Sequence, residues 1–287
     1  MKHAVLQFGW DNHLVGNWTA CAGNSDTAMI FLDPGSDHRA GPNRLYADLS
    51  AALSSAGCHS FRFDYSGIGD SRPPHERRHG LKRQPVPGAD AKAERRSGLS
   101  RELSEIEAAM DLLSQRFGVR RFVLFGLCSS ADDALRSAAV DERVSGIVMI
   151  DGFAWRTRRF YLHYFLPRIF GLRRWQNFIQ RKLGLIKVTK VEFVEEDFRN
   201  HLGQTEVRRI LPGLLARSTQ MLVVYTGEEQ DAYCYAGQFR DMLPDIDFRD
   251  LLSLQFLPEA DHTFACISAR EKLLKLLTDW AGDLPRQ

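Results

Sequence analysis

This chain of 287 residues has no long hydrophobic run: its apolar stretches break far short of the ~20 residues that cross a bilayer as a helix. The first ten residues, Met1-Lys-His-Ala-Val-Leu-Gln-Phe-Gly-Trp10, are interrupted too soon to form the apolar part of a secretory signal. Cysteine is scarce as well. Cys21, Cys58, Cys128, Cys234 and Cys266 form an odd set with no close C-x-x-C pair, which argues against a disulfide framework and against a zinc site. The expected setting is reducing, hence cytoplasmic. Excess charge is also small: a formal net charge of +2 excludes a globally basic nucleic-acid binder. Gly67 and Gly69 lack the further glycine and helix start of a dinucleotide loop, so Arg62–Ser71 reads as a turn at a strand end. No metal and no cofactor is implied.

What the sequence does have is alternation. Residues 3–8 and 13–19 read as a hairpin around Gly9-Trp-Asp-Asn12, and Thr27–Leu32 as a fully buried strand. From there the pattern runs helix (43–56), strand (58–64), helix (99–117), strand (121–125), helix (129–140) and strand (144–151). After an interruption it resumes with strand 220–226, helix 235–243, strand 252–257 and helix 269–281. Strands alternating with helices predict a mostly parallel sheet covered on both faces, here of eight strands. Two segments break the pattern. Arg72–Ser97, rich in Arg and Lys and holding Pro73, Pro74, Pro85 and Pro87, reads as a mobile loop. Residues 153–212 read as a helical cap, inserted between a first core part (1–152) and a second (213–287).

Chemistry enters at the turn after 121–125. Arg121-Phe-Val-Leu-Phe125 feeds into Gly126-Leu-Cys-Ser-Ser130 and then a helix-like stretch: strand, sharp turn, helix, with a thiol at the turn. This is the nucleophile elbow of the α/β-hydrolase fold, in which small residues two before and two after the nucleophile let strand and helix approach. Cys128 takes the nucleophile position, and the helix N-terminus behind it favours its thiolate. The general base is expected in a loop after the last strand, where Glu259-Ala-Asp-His-Thr-Phe264 supplies His262. The orienting acid is less determined. Asp231, in the loop after strand 220–226, is preferred, then Glu229, with Asp151 at the end of the sixth strand as a further option; Asp261 adjoins His262 in sequence and so should point away from it. Oxyanion donors are expected from the backbone of Ser129 and from the loop after the third strand, with Ser36 as donor. Trp155, Tyr161 and Tyr164 are the aromatic candidates for lining the substrate site.

The cap region is lopsided in charge. Between Gly152 and Val191 lie ten Arg or Lys and no Asp or Glu, interleaved with aromatics. Packing on the body with a solvated basic face accounts for this; docking of an acidic carrier protein or a phosphate-bearing substrate, or a membrane-surface helix, are the functional readings.

Arg62–Ser71, Phe125–Ser130, Tyr161-Leu-His-Tyr164 and Glu259–Phe264 together resemble the exosortase A system-associated hydrolases of the serine-aminopeptidase-like group. The resemblance spans most of the chain and implies that a Gly-Leu-Cys elbow is a trait of such proteins and not a decayed serine. Ser130, where glycine is usual, and the polar loop 72–97 depart from it. The resulting expectation is a Cys–His–acid hydrolase acting on an ester or thioester, with acyltransfer by the same residues, or a non-catalytic docking protein of the same fold, as alternatives.

Overall fold

The computed structural model describes residues 3–34, 38–73, 91–169, 202–228 and 230–285, with 91–100 and 167–169 as backbone only. Its strands are β1 (His3–Phe8), β2 (Leu14–Thr19), β3 (Thr27–Leu32), β4 (His59–Asp64), β5 (Arg121–Leu127), β6 (Val144–Ile150), β7 (Gln220–Thr226) and β8 (Leu252–Leu257). They form one sheet in the order β1-β2-β4-β3-β5-β6-β7-β8. The β1–β2 and β2–β4 pairs are antiparallel and the remaining pairs parallel. Parallel strands are covered on both faces, so they carry continuous apolar runs and not alternating ones. Accordingly every residue of β3, Thr-Ala-Met-Ile-Phe-Leu, is buried.

Helices divide the core in two. On one face α1 (Leu45–Ser55) and the last helix, α7 (Ile267–Gly282), pack Leu45, Leu49, Leu53, Leu273 and Leu277 against Met29, Val123, Val148 and Val224. On the other, α2 (Ala91–Phe117), α3 (Ser129–Val140) and α5 (Gln204–Ala216) cover Ile30, Leu124, Ile147 and Met221. The short α6 (Gln238–Met242) follows β7, and α4 (Arg158–Ile169) follows β6 and touches α6.

Two expectations need correction. The segment Arg72–Ser97 is not loop throughout, because α2 begins at Ala91; residues 74–90 lie outside the described part. Ala91-Lys-Ala-Glu-Arg-Arg is a run of strong helix formers, and their polarity hides a helix start from an apolar periodicity. The helix expected over 235–243 is confined to Gln238–Met242, after Gly237. Between β6 and β7, α4 and α5 stand at the two ends of the expected cap, and residues 170–201 of it lie outside the described residues. Among the described residues no helix is long and apolar enough to cross a membrane.

The turn after β4 is fastened by a charge. Asp64, fully buried, accepts hydrogen bonds from the backbone N–H of Arg39 (2.6 Å) and Asp70 (3.0 Å) and pairs with the Arg39 guanidinium. Arg39 also reaches Asp70 at 2.6 Å. Gly69, at φ +50°, is required here: a Cβ would lie 2.4 Å from the Asp64 carboxylate. His38, Asp64 and Asp70 are spaced as metal ligands would be, but the guanidinium already occupies the carboxylates. Breaking a buried pair from one side strands the other charge, at a cost of about 3–5 kcal/mol. Asp64→Ala should lower unfolding free energy by about that amount in urea titrations, whereas a loss under about 1 kcal/mol would show that water replaces the carboxylate at Arg39.

Candidate active site

β5 ends at Leu127, and Cys128 follows with φ 61° and ψ −124°, a conformation that non-glycine residues rarely hold. It is the N-cap of α3. Gly126 permits the turn, since a Cβ there would lie 2.2 Å from the Ser130 carbonyl oxygen. Ser130, the departure from a glycine at this position, has a function of its own. Its buried hydroxyl accepts from the Leu127 N–H at 2.9 Å and lies 3.1 Å from Leu32 O and 2.9 Å from Leu127 O, its candidate acceptors. The side chain therefore laces the elbow to the ends of β3 and β5. Ser129 Oγ adds a bond to Pro34 O at 2.9 Å.

His262 stands in the loop between β8 and α7. Its Nδ1–H donates to Asp151 Oδ2 at 2.8 Å, and its ring is also hydrogen-bonded to the Cys128 sulfur, which leaves Nε2 as the nitrogen facing the thiol. Asp151 is fully buried at φ 46° directly after β6, and it also accepts from Thr226 N and Thr226 Oγ1, both at 2.7 Å. The His262 backbone N–H is held by Glu228 Oε2 at 2.6 Å. Asp151 first, then Cys128, raise the His262 pKa from 6.5 to about 10, against burial, which lowers it. A thiol, an imidazole and a carboxylate thus stand in line at the C-terminal ends of β5, β8 and β6.

The acid at His262 is therefore Asp151 and not Asp231, the residue preferred on sequence. Asp231 Oδ1 accepts from Tyr164 Oη at 2.5 Å and its carbonyl from Arg156 Nε at 2.8 Å, so it anchors the start of α4 instead. Glu229, the second choice, and Ser36 lie outside the described residues. Asp261 does point away from His262. Burial acts to raise its pKa, but bonds from Ala265 N, Thr263 Oγ1 and Cys266 N outweigh that and hold it at about 2, at the entrance to α7. As the first residue of α3, Ser129 has a backbone N–H without an intrahelical acceptor, beside Cys128, as an oxyanion donor requires.

The aromatic candidates Trp155, Tyr161 and Tyr164 lie just before α4 or on it. Trp155 stacks on Phe153 at 5.5 Å and packs against the core, Tyr164 stacks on Phe160 and is pinned to Asp231, and Tyr161 is half-exposed on α4. Sequence reasoning misses Thr226 and the hydroxyl of Ser130, and it offers Glu228 only as one of three carboxylates after strand 220–226, not as the holder of His262 N–H. Thr226 is brought there by the sheet: parallel pairing of β6 and β7 sets Ile150 opposite Val224 and so carries the residue after β6 to the end of β7, a register that no spacing in the sequence marks.

No protein-family model matches the chain, and no curated protein matches it in sequence. Solved structures do. The chain is similar to an α/β hydrolase GrgF from Penicillium (16% identity, TM-score 0.55, 98% of each chain). It is also similar to a dienelactone hydrolase from Anabaena variabilis (14%, 0.54, 97% of this chain and 96% of that one). A third is XC6422 from Xanthomonas campestris, a serine hydrolase without lid (14%, 0.54, 99% and 98%). At such identities the likeness establishes the fold: this chain has the α/β-hydrolase fold.

His262 fixes the sign of one pH dependence. Its folded pKa lies above 6.5, so the stability it contributes is fully present below about pH 6.5 and is lost as pH rises through about 10. The ring proton signals of His262 should titrate well above pH 7 in NMR, and Asp151→Asn should move the midpoint down. An unmoved midpoint would mean that Asp151 does not govern the imidazole charge.

Proposed function

We propose that this chain is an acyl hydrolase in which Cys128 attacks an ester or thioester carbonyl, His262 moves the proton and Asp151 orients His262. One observation carries the reading: the strained thiol at the head of α3 and the buried carboxylate after β6 hold opposite sides of a single imidazole. The raised His262 pKa supports a thiolate–imidazolium pair as the resting state.

In the first step the sulfur of Cys128 bonds to the carbonyl carbon, and the oxyanion that forms is positioned for the Ser129 N–H. The imidazolium then gives its Nε2 proton to the departing alkoxide or thiolate as the carbon–leaving-group bond breaks, which leaves an acyl thioester on Cys128. In the second step neutral His262 takes a proton from water, hydroxide adds to the acyl carbon, and Cys128 leaves as the thiolate. Throughout, Asp151 keeps Nδ1 protonated and faces the developing charge, while Thr226 fixes the carboxylate. Thioesters and activated esters suit this site better than amides, because a thiolate expels their leaving groups without strong prior protonation. Transfer to an acceptor other than water uses the same steps.

Cys128→Ala should abolish turnover of a p-nitrophenyl ester and of an acyl thioester with the fold intact, and Cys128→Ser should retain a small fraction. Removing the orienting acid costs up to ~10⁴ in kcat in Ser–His–Asp enzymes, and less where the nucleophile ionises readily. Asp151→Asn should therefore lower kcat by about 10²-fold or more, while Asp231→Asn leaves kcat within a few-fold of wild type. Full activity in Cys128→Ala, or no acyl adduct on Cys128 in intact-mass spectra, would overturn the reading; a larger loss in Asp231→Asn than in Asp151→Asn would overturn the assignment of the acid.

A further inference from the structure

The end of β7 reaches both the acid and the base of the candidate site. Thr226, its last residue, donates twice to Asp151. The next two residues meet the loop that carries His262. Gly227 N–H donates to Ala260 O at 3.1 Å, and a Cβ on Gly227 would lie 2.0 Å from Pro258 O, so the strand end and the loop are in direct backbone contact. Glu228 Oε2 then accepts the His262 backbone N–H at 2.6 Å. Beyond His262 the loop is tied to α7 instead: the Asp261 carboxylate accepts from Thr263, Ala265 and Cys266 N–H groups, and Arg270 donates to Phe264 O. The N–H of His262 is where the anchor from β7 meets the anchor from α7.

The fold does not need the bond from Glu228 to satisfy a polar group. Glu228 is exposed and the bond lies at the surface, where an N–H loses little by exchanging a side-chain acceptor for water. What a carboxylate adds is place, because a charge-assisted hydrogen bond is shorter than a neutral one and about twice as strong. The residue so placed must hold its ring 2.8 Å from Asp151 and in contact with the Cys128 sulfur at once. Proton transfer needs heavy atoms about 2.6–3.2 Å apart, and a misplacement of ~1 Å can cost about 10²-fold in rate. The contact of Glu228 is with the backbone, whereas Asp151 and Cys128 govern the charge of the ring. We infer that Glu228 is a positioning residue for the general base, acting through the His262 N–H and not through its own charge. For its effect on turnover the inference rests on the acyl-hydrolase reading.

Wild type, Glu228→Ala and Glu228→Gln are compared as full chains, the glutamine keeping an oxygen that accepts the same N–H. Two readouts are taken: kcat and KM for a p-nitrophenyl ester, and the rate at which iodoacetamide alkylates Cys128 at about pH 6, resolved by peptide mass spectrometry. Glu228→Ala should lower kcat by about tenfold with KM within about twofold, and slow the alkylation by a similar factor. Its melting temperature should stay that of the wild type, because the side chain is exposed. Glu228→Gln should restore both rates to within about twofold of wild type. The inference falls if Glu228→Ala matches wild type in both readouts or raises KM alone. It falls equally if Glu228→Gln is as impaired as Glu228→Ala, which assigns the effect to charge, or if the rates drop only in step with the melting temperature. A wild type without ester turnover, or full turnover in Cys128→Ala, overturns the acyl-hydrolase reading, and the alkylation rates then decide this inference by themselves.

Discussion

Everything at the candidate site depends on how β6 lies beside β5. The N–H of Cys128 donates to Ile150 O at 2.8 Å, one step beyond the last paired residues, Leu127 and Ile150. This bond continues the ladder into the elbow, so the nucleophile candidate and the residue after β6 leave the sheet side by side. Asp151 is that residue. Its own N–H donates to Val224 O at 2.9 Å, which carries the same ladder across to β7. The carboxylate is then positioned by backbone, and two bonds from Thr226 complete its shell apart from His262. A buried carboxylate needs such a shell, because a charge without partners in the interior would neutralise.

The described ends of the loop that follows β3, at Leu32–Pro34 and at Arg39, are each fastened. At the first, Ser129 and Ser130 reach Pro34 and Leu32 from the head of α3. At the second, Arg39 is clamped to Asp64 at the end of β4, and Ser71 Oγ ties that turn back to Asp64 O at 2.6 Å and to β2 through Val15 N at 2.9 Å. An oxyanion site works only when its donors are already in place as charge develops. The serine at position 130 therefore belongs to the elbow's rigidity: its hydroxyl accepts from Leu127 N–H and donates to Leu32 O or Leu127 O, bonds that a glycine has no atom to make.

Much of this was legible in the sequence and some could not be. Strand ends fell within two residues because runs such as Thr27–Leu32 are apolar throughout and bounded by polar turns. Gly126, Cys128 and His262 were readable because the elbow is a local motif and because His262 follows the last strand. The choice among carboxylates was not local. It turned on a positive φ at Asp151 and on donors from Thr226, which belongs to a different strand, and neither leaves a mark in spacing. Asp231 looked right because it follows β7 closely, yet tertiary contacts commit it to Tyr164 and Arg156. The start of α2 was hidden for a different reason: its first turns are charged, and their helical preference shows only in composition.

Placing the acid after β6 has a structural consequence. The chain leaves Asp151 and within a few residues becomes Phe153, Trp155 and α4, so the segment between β6 and β7 starts at the site itself. Phe153 is buried against Phe239, its carbonyl accepts from Tyr225 Oη at 2.5 Å, and Trp155 N and O are bonded to Met242 and Gln238. Those contacts fasten the root of α4 to the body. With the root fixed and Asp231 recruited to hold Tyr164, the inner face of α4 is fully occupied in packing. Among the described residues its outer side chains, Tyr161, Leu162, Phe165 and Leu166, remain exposed, so among these residues the contacts that hold α4 come from its inner face.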